Sequence, residues 1–272
     1  MFDIKLCNFK VLEESPTHGV FEFSPLPRGY GHTIGVPIRR ILLSSLEGAA
    51  ITGVRIKGVM HEFSTLPGVK DDILRILLRL KKVVVINYSD KPQTLTLAVK
   101  GATKGKEKPV LAGDIKTTES TEIFNKDFVI TYLTAPKAEL KMELTVENGV
   151  GYQLADDEKR TKVGMIPLDA TFSPVERVKM DVLNTRVGQQ TDLDKLVLEI
   201  WTKGNISPLA ALRKAIEVAR KSFDEVMAKV SEVSDNGEEK KSDNKEKLVC
   251  PKCGKSYTAK AYFDKHVKKC KG

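Results

Sequence analysis

An α+β fold is predicted, on three observations. Apolar residues alternate with polar ones through the middle of the chain, as in Leu95, Leu97 and Val99 and again in Leu140, Met142, Leu144 and Val146, which is the period of half-buried strands. The helical period is confined to three stretches, one after residue 28, one over 70–82 and one from Ser207 onward. A polar segment, SEVSDNGEEKKSDNKEK (231–247), then sets off a short cysteine-bearing tail.

Residues 1–25 read as short strands joined by a turn, and RGYGHTIGVPIRRILLSS (28–45) opens a helix ending near Gly48. Residues 51–58 resume a strand pattern through Val54 and Ile56. The second helix, 70–82, carries Ile73, Leu74, Ile76, Leu77 and Leu80 on one side. A long β region follows, with loops rich in Gly, Lys and Thr at 101–108 and 147–163, and KLVLEIW (195–201) reads as a further strand. The last helix starts at Ser207-Pro208, an N-cap followed by proline at the first helical position. Its apolar residues Leu209, Leu212, Ile216, Ala219, Phe223, Val226 and Val230 step by 3 and 4, a heptad seam. Such a seam serves either a helix packed on its own domain or a contact between two copies of the chain. Segment 231–247 has one valine as its only apolar residue and is expected to be a flexible linker.

Composition narrows the function classes. With 272 residues the chain can bury one large core or two smaller ones, and 41% hydrophobic and 30% charged residues fit a soluble globular protein. The longest aliphatic run, Val83–Ile86, is far too short to span a bilayer, and MFDIKLCNFK lacks a signal peptide's apolar stretch. Three of four cysteines fall in the last 23 residues, which is no secreted disulfide framework, so a reducing compartment is expected. The net charge of +9 is uneven: residues 248–272 hold seven lysines against one aspartate, +6, leaving +3 for the rest. A large nucleic-acid groove on the globular part is therefore not indicated.

Gly29, Gly31 and Gly35 precede and enter the first helix, but their G-x-G-x-x-x-G spacing is one residue too long for the dinucleotide fingerprint, and no G-K-S/T follows for a phosphate loop. The helix has two apolar faces. Ile34, Ile38, Ile41, Leu42 and Leu46 form one, while Val36, Arg40 and Leu43 form another at i, i+4 and i+7. The second face suits either an arginine paired with a nearby carboxylate or a surface that docks on a partner with Arg40 as anchor.

RGYGHTIGVPIRRILLSSLEGAAITGVRIKGVMHEFSTLPGVKDDILRILLRLK (28–81), SPVERV (173–178) and TDLDKLVLEI (191–200) closely resemble the α subunit of bacterial-type RNA polymerase, over about residues 5–230. The resemblance implies a dimerisation domain, 1–47 plus 174–231, interrupted by a β-rich insert domain at 48–173. It implies a homodimer formed through the first and last helices, with Ile38, Ile41, Leu42, Leu212, Ile216, Ala219 and Phe223 at the interface. The dimer would scaffold the catalytic β and β′ subunits. Arg40 matches the family's main β-contact position, with Arg39, Leu43 and Ser44 beside it; Pro174, Val175, Glu176 and Arg177 fall in the region facing the large subunits. A cytoplasmic, nucleoid-associated location goes with that reading. The glycines would let the chain turn tightly into the helix.

No active site is expected in this chain itself. Nucleotidyl transfer needs clustered carboxylates holding two metal ions, and the only close D-x-D, Asp192-Leu-Asp194, suits a turn or cap. His61-Glu62 lacks the second histidine of H-E-x-x-H, there is no G-x-S-x-G, and Cys7 reads as a buried structural thiol.

The tail departs from the family, whose members carry a compact helical C-terminal domain. LVCPKCGKSYTAKAYFDKHVKKCKG (248–272) has the spacing Cys250-x2-Cys253-x12-His266-x3-Cys270, that of a ββα zinc finger with cysteine as fourth ligand. Leu248, Tyr257 and Phe263 stand where the finger's small apolar core requires them. One structural Zn²⁺ is expected here and no cofactor elsewhere. Lys255, Lys260, Lys265, Lys268 and Lys269 could hold phosphates of a nucleic acid, or form the solvated face of a protein-docking finger. The rival class is a free-standing dimeric zinc-finger regulator that uses residues 1–231 only to dimerise.

Overall fold

The computed structural model describes residues 7–101, 107–155 and 164–238 and the strand pair 248–249 and 256–257. It divides into two compact units, Met1–Arg220 and Lys221–Gly272. In chain order the elements are β1 (Asn8–Glu14), β2 (His18–Leu26), α1 (Tyr30–Ser44), β3 (Glu47–Ile56), α2 (Ile73–Leu80), β4 (Val85–Asn87), β5 (Gln93–Lys100), β6 (Lys108–Leu111), β7 (Ile115–Lys116) and β8 (Thr121–Ile123). There follow β9 (Val129–Leu133), β10 (Glu139–Val150), β11 (Tyr152–Gln153), β12 (Met165–Pro167), β13 (Ala170–Thr171), β14 (Val175–Val187), β15 (Gln190–Thr202), α3 (Pro208–Glu238), β16 (Leu248–Val249) and β17 (Ser256–Tyr257). The mixed α+β class is as predicted.

The first unit holds two hydrophobic cores. One lies under a four-stranded antiparallel sheet ordered β1-β2-β15-β14, built from the two ends of the unit's sequence. Its inward residues Phe21, Leu196, Leu198 and Ile200 meet Ile38 and Leu42 of α1 and Ala211, Leu212 and Ala215 of α3. The other gathers residues 51–168. Strands β7-β5-β10-β3-β4-β8 form its sheet, with β12 also paired to β3. The alternation read in β5 and β10 is borne out: Leu95, Leu97, Leu140, Leu144 and Val146 are buried, and both strands pair in register from Glu139↔Lys100 to Val146↔Gln93. The apolar side of α2 (Ile73, Ile76, Leu77, Leu80) closes this core.

Four boundaries differ from expectation. The first helix stops at Ser44, where the Ser45 amide bonds Ile41 O, and β3 begins at Glu47. The second starts at Ile73, because the Asp72 side chain accepts the Arg75 amide as an N-cap and fixes the first turn. Leu74, one residue and so about 100° round from Ile73, is 41% exposed instead of sharing the apolar side. The presumed loop 147–163 is strand in its first part, through β10 to Val150 and in β11. Finally, α3 runs on to Glu238 into the segment expected to be linker. Adding a residue to an existing helix costs far less than starting one. Residues 239–247 lie outside the described residues. Among the described residues no helix is long and apolar enough to cross a membrane.

Candidate subunit-docking surface

Helix α1 enters from Gly29, whose φ of 85° lies in the left-handed region that glycine adopts without strain. Gly31 and Gly35 serve otherwise. They sit inside the helix, where a methyl group would come within 2.6 Å of Val182 Cγ1 and Met180 Sδ respectively, so they let α1 lie close on β14. The helix has no side-chain cap of its own. Asp194 of β15 supplies one from far along the chain: its Oδ2 accepts the Gly29 amide at 2.8 Å and the Gly31 amide at 3.1 Å. Those are donors a phosphate would need, and both are already taken. The cap role expected of the D-x-D pair is thus filled by Asp194.

The two faces of α1 have different fates. Ile38 and Leu42 are buried, while Ile34 and Ile41 are partly buried against the same core. On the other face Val36 (44%) and Leu43 (37%) are exposed together with Arg39, Arg40 and Ser44. Among the described residues neither guanidinium has an ion-pair partner, so the intrachain carboxylate considered for Arg40 is not there. The Ser44 hydroxyl donates to Arg40 O at 2.8 Å, closing the last turn beneath the exposed arginine.

The second expected docking segment is only half surface. Pro174 and Val175 are buried. Glu176 and Arg177 are exposed, and the Arg177 guanidinium lies 4.5 Å from the Trp201 ring centroid, a stacked cation on the only tryptophan. The His18 ring lies 5.0 Å from the Trp201 ring, and its Nε2 meets Glu199 Oε1 at 2.9 Å. Lys203 ties the segment down: its amide bonds Pro174 O and its ammonium bonds Thr171 O at 3.3 Å. Burial depresses the Lys203 pKa, and the Glu176 charge opposes that in part.

The expected dimer residues divide as well. Ile38, Leu42 and Leu212 are 6%, 0% and 1% exposed and belong to the chain's own core. Ile41 and Ala219 are partly buried. Ile216 (41%), Phe223 (65%), Val226 (59%) and Val230 (56%) continue the seam with their apolar surface uncovered. The heptad pattern thus serves the core at one end and is open at the other. Sequence reading did not single out Met60 and Phe63, exposed by 73% and 76% in the turn-rich stretch after β3. Their flanking of His61-Glu62 gave no periodic signal. Cys7 is partly exposed rather than buried, though desolvation still raises its pKa.

The proposed metal ligands Cys250, Cys253, His266 and Cys270, and Lys255, Lys260, Lys265, Lys268 and Lys269, lie outside the described residues. Around them, β16 and β17 pair antiparallel with Leu248 opposite Tyr257 and Val249 opposite Ser256. Among the described residues no cluster of three or more His, Cys, Asp or Glu could hold a metal.

Comparison with known proteins adds a family. Residues 54–173 match the RNA polymerase Rpb3/RpoA insert domain. The chain is 50% identical over 204 residues to the DNA-directed RNA polymerase subunit alpha of Deinococcus radiodurans, covering 75% of this chain and 58% of that protein. It is 46% identical over 213 residues to that of Thermus thermophilus (78% and 66%) and 44% identical over 244 residues to that of Symbiobacterium thermophilum (88% and 75%). Against the first two, the chain spans about three-fifths to two-thirds of the relative's length.

Proposed function

The chain belongs to the family of bacterial RNA polymerase α subunits, and from that premise we propose that it homodimerises and scaffolds the β and β′ subunits of a DNA-directed RNA polymerase. It contributes no catalytic group of its own. The observation that carries this is the second face of α1: an arginine without an ion-pair partner among the described residues, between exposed Val36 and Leu43, on a helix capped by Asp194. A dimer alone has no need of that face, which disfavours the free-standing regulator. Charge flanked by apolar surface is the anatomy of an interface anchor. The exposed seam of α3 provides the contact between copies, and Glu176 and Arg177 extend the docking surface. Arg40→Ala is expected to leave the dimer intact and to weaken β binding, by about 2–5 kcal/mol if the partner loses a buried charged contact. Native-gel reconstitution with purified β checks it; full assembly by the variant would overturn the reading.

The tail belongs to the same proposal as a zinc-dependent module. Cys250, Cys253, His266 and Cys270 are the four ligands, and Zn²⁺ supplies structure rather than chemistry. Two facts support this: the ligand spacing, and the pairing of β16 with β17, which brackets both cysteines within a six-residue connection. The lysines around the ligands hold nucleic-acid phosphates without reading sequence, in the cytoplasm near the nucleoid.

A further inference from the structure

The two docking segments leave the same point of the fold. Arg40–Ser44 ends four residues before Gly48, and Ser173–Arg177 follows Phe172 directly. Gly48 and Gly149 are cross-strand partners in the β3–β10 pair, and Phe172 lies on that glycine pair, 3% exposed. A methyl group on Gly149 would come within 2.7 Å of the Phe172 ring. One on Gly48 would collide with the Phe172 carbonyl oxygen. The Phe172 amide donates to Gly151 O at 2.9 Å, and a methyl on Gly151 would stand 3.2 Å from Ser44 O. Ser44, Gly151, Gly48 and Phe172 therefore form one packed knot, which sets how far the end of α1 stands from residues 173–177.

We infer that Phe172, seated on the Gly48–Gly149 pair, is a positioning residue that fixes the spacing between the α1 docking face and Glu176–Arg177. The inference rests on the assembly reading for its function, but the knot itself can be tested apart from it. Gly149 against the ring and Gly48 against the carbonyl hold Phe172 in one place, because neither glycine offers a side chain that can yield. A folded core on each side does not need that register; a partner touching both segments does.

The test uses the full-length protein in four forms: parent, Gly149→Ala, Gly149→Ala with Phe172→Leu, and Phe172→Leu alone. The added methyl of Gly149→Ala drives the ring off its seat, and the smaller leucine accommodates it. Association with purified β is measured by sedimentation well below each variant's melting temperature, where a purely structural defect leaves binding unchanged. Gly149→Ala is expected to bind β at least about tenfold more weakly, and the double variant to recover most of that loss. Hydrogen exchange should rise at residues 44–48 and 172–175 of Gly149→Ala while the amides of β5 and β15 stay protected. Normal β binding by folded Gly149→Ala overturns the inference, as does a folded double variant that recovers nothing. Should Gly149→Ala not fold, Phe172→Leu alone decides, with weaker β binding expected and parental binding overturning it. If the parent fails to bind β, the assembly reading falls, while unchanged exchange at 44–48 and 172–175 would reject the knot separately.

Discussion

A carboxylate 165 residues away in sequence starts the helix on which the docking face is built. Asp194 is 6% exposed and takes two amides of α1, whose first turn has no acidic residue of its own. Removing it strands the buried Gly31 amide and the partly buried Gly29 amide. Asp194→Ala is therefore expected to cost about 1–3 kcal/mol of stability in urea unfolding. Asp194→Asn, which keeps one acceptor oxygen, should cost clearly less; equal losses would mean the carboxylate acts by charge and not as an acceptor. Part of this was legible in the sequence: an aspartate entering a strand from a turn suits a cap. Which helix it caps was not, since the partner is set by the β15–α1 packing and no local pattern records it. The same limit applied to Gly31 and Gly35, whose purpose is room for Val182 and Met180 rather than a turn.

Element periodicity was readable wherever one face is buried. The β5 and β10 alternation and the α2 side lie in the core as their spacing requires, because burial alone chooses those residues. Periodicity could not say what covers a face. The α3 seam is a single unbroken heptad pattern in the sequence, yet Leu212 belongs to the chain's own core and Phe223 stands 65% exposed. The end of α3 was also missed, since polar composition resembles a linker whether or not a helix continues through it. The exposed part of the seam makes a specific claim. Phe223→Asp places a carboxylate where a second copy should pack, and a buried unpaired charge is strongly unfavourable. Because Phe223 does not contribute to either core, the variant should remain folded by circular dichroism and sediment as monomer. An intact dimer would move the contact between copies elsewhere.

At the scale of the whole molecule, charge and architecture separate two tasks. Residues 1–247 are nearly balanced in charge, at +3, while +6 is gathered in the last 25. Three thiolates and one imidazole around the proposed Zn²⁺ would carry a net charge of −1, which the seven lysines of the tail sequence outweigh. Metal and hairpin should form together, since β16 and β17, two residues each and paired with Leu248 opposite Tyr257, are too short a strand pair to stand alone. Full-length protein is therefore expected to hold one zinc per chain, and Cys253→Ser to lose it; a zinc-free parent would overturn the ligand assignment. A dimer as proposed would carry two tails, so each bound phosphate segment would raise the local concentration for the second tail. Against a 1–238 truncation, which keeps all of α3, the full-length protein should bind upstream promoter DNA more tightly. The added affinity should fall steeply with salt, at a slope of roughly −0.9 per phosphate contacted. Chelating the zinc should abolish the gain and leave dimerisation unchanged. Equal affinities for the full-length and truncated proteins would reject nucleic acid as the partner and assign the lysine-rich face to a protein instead.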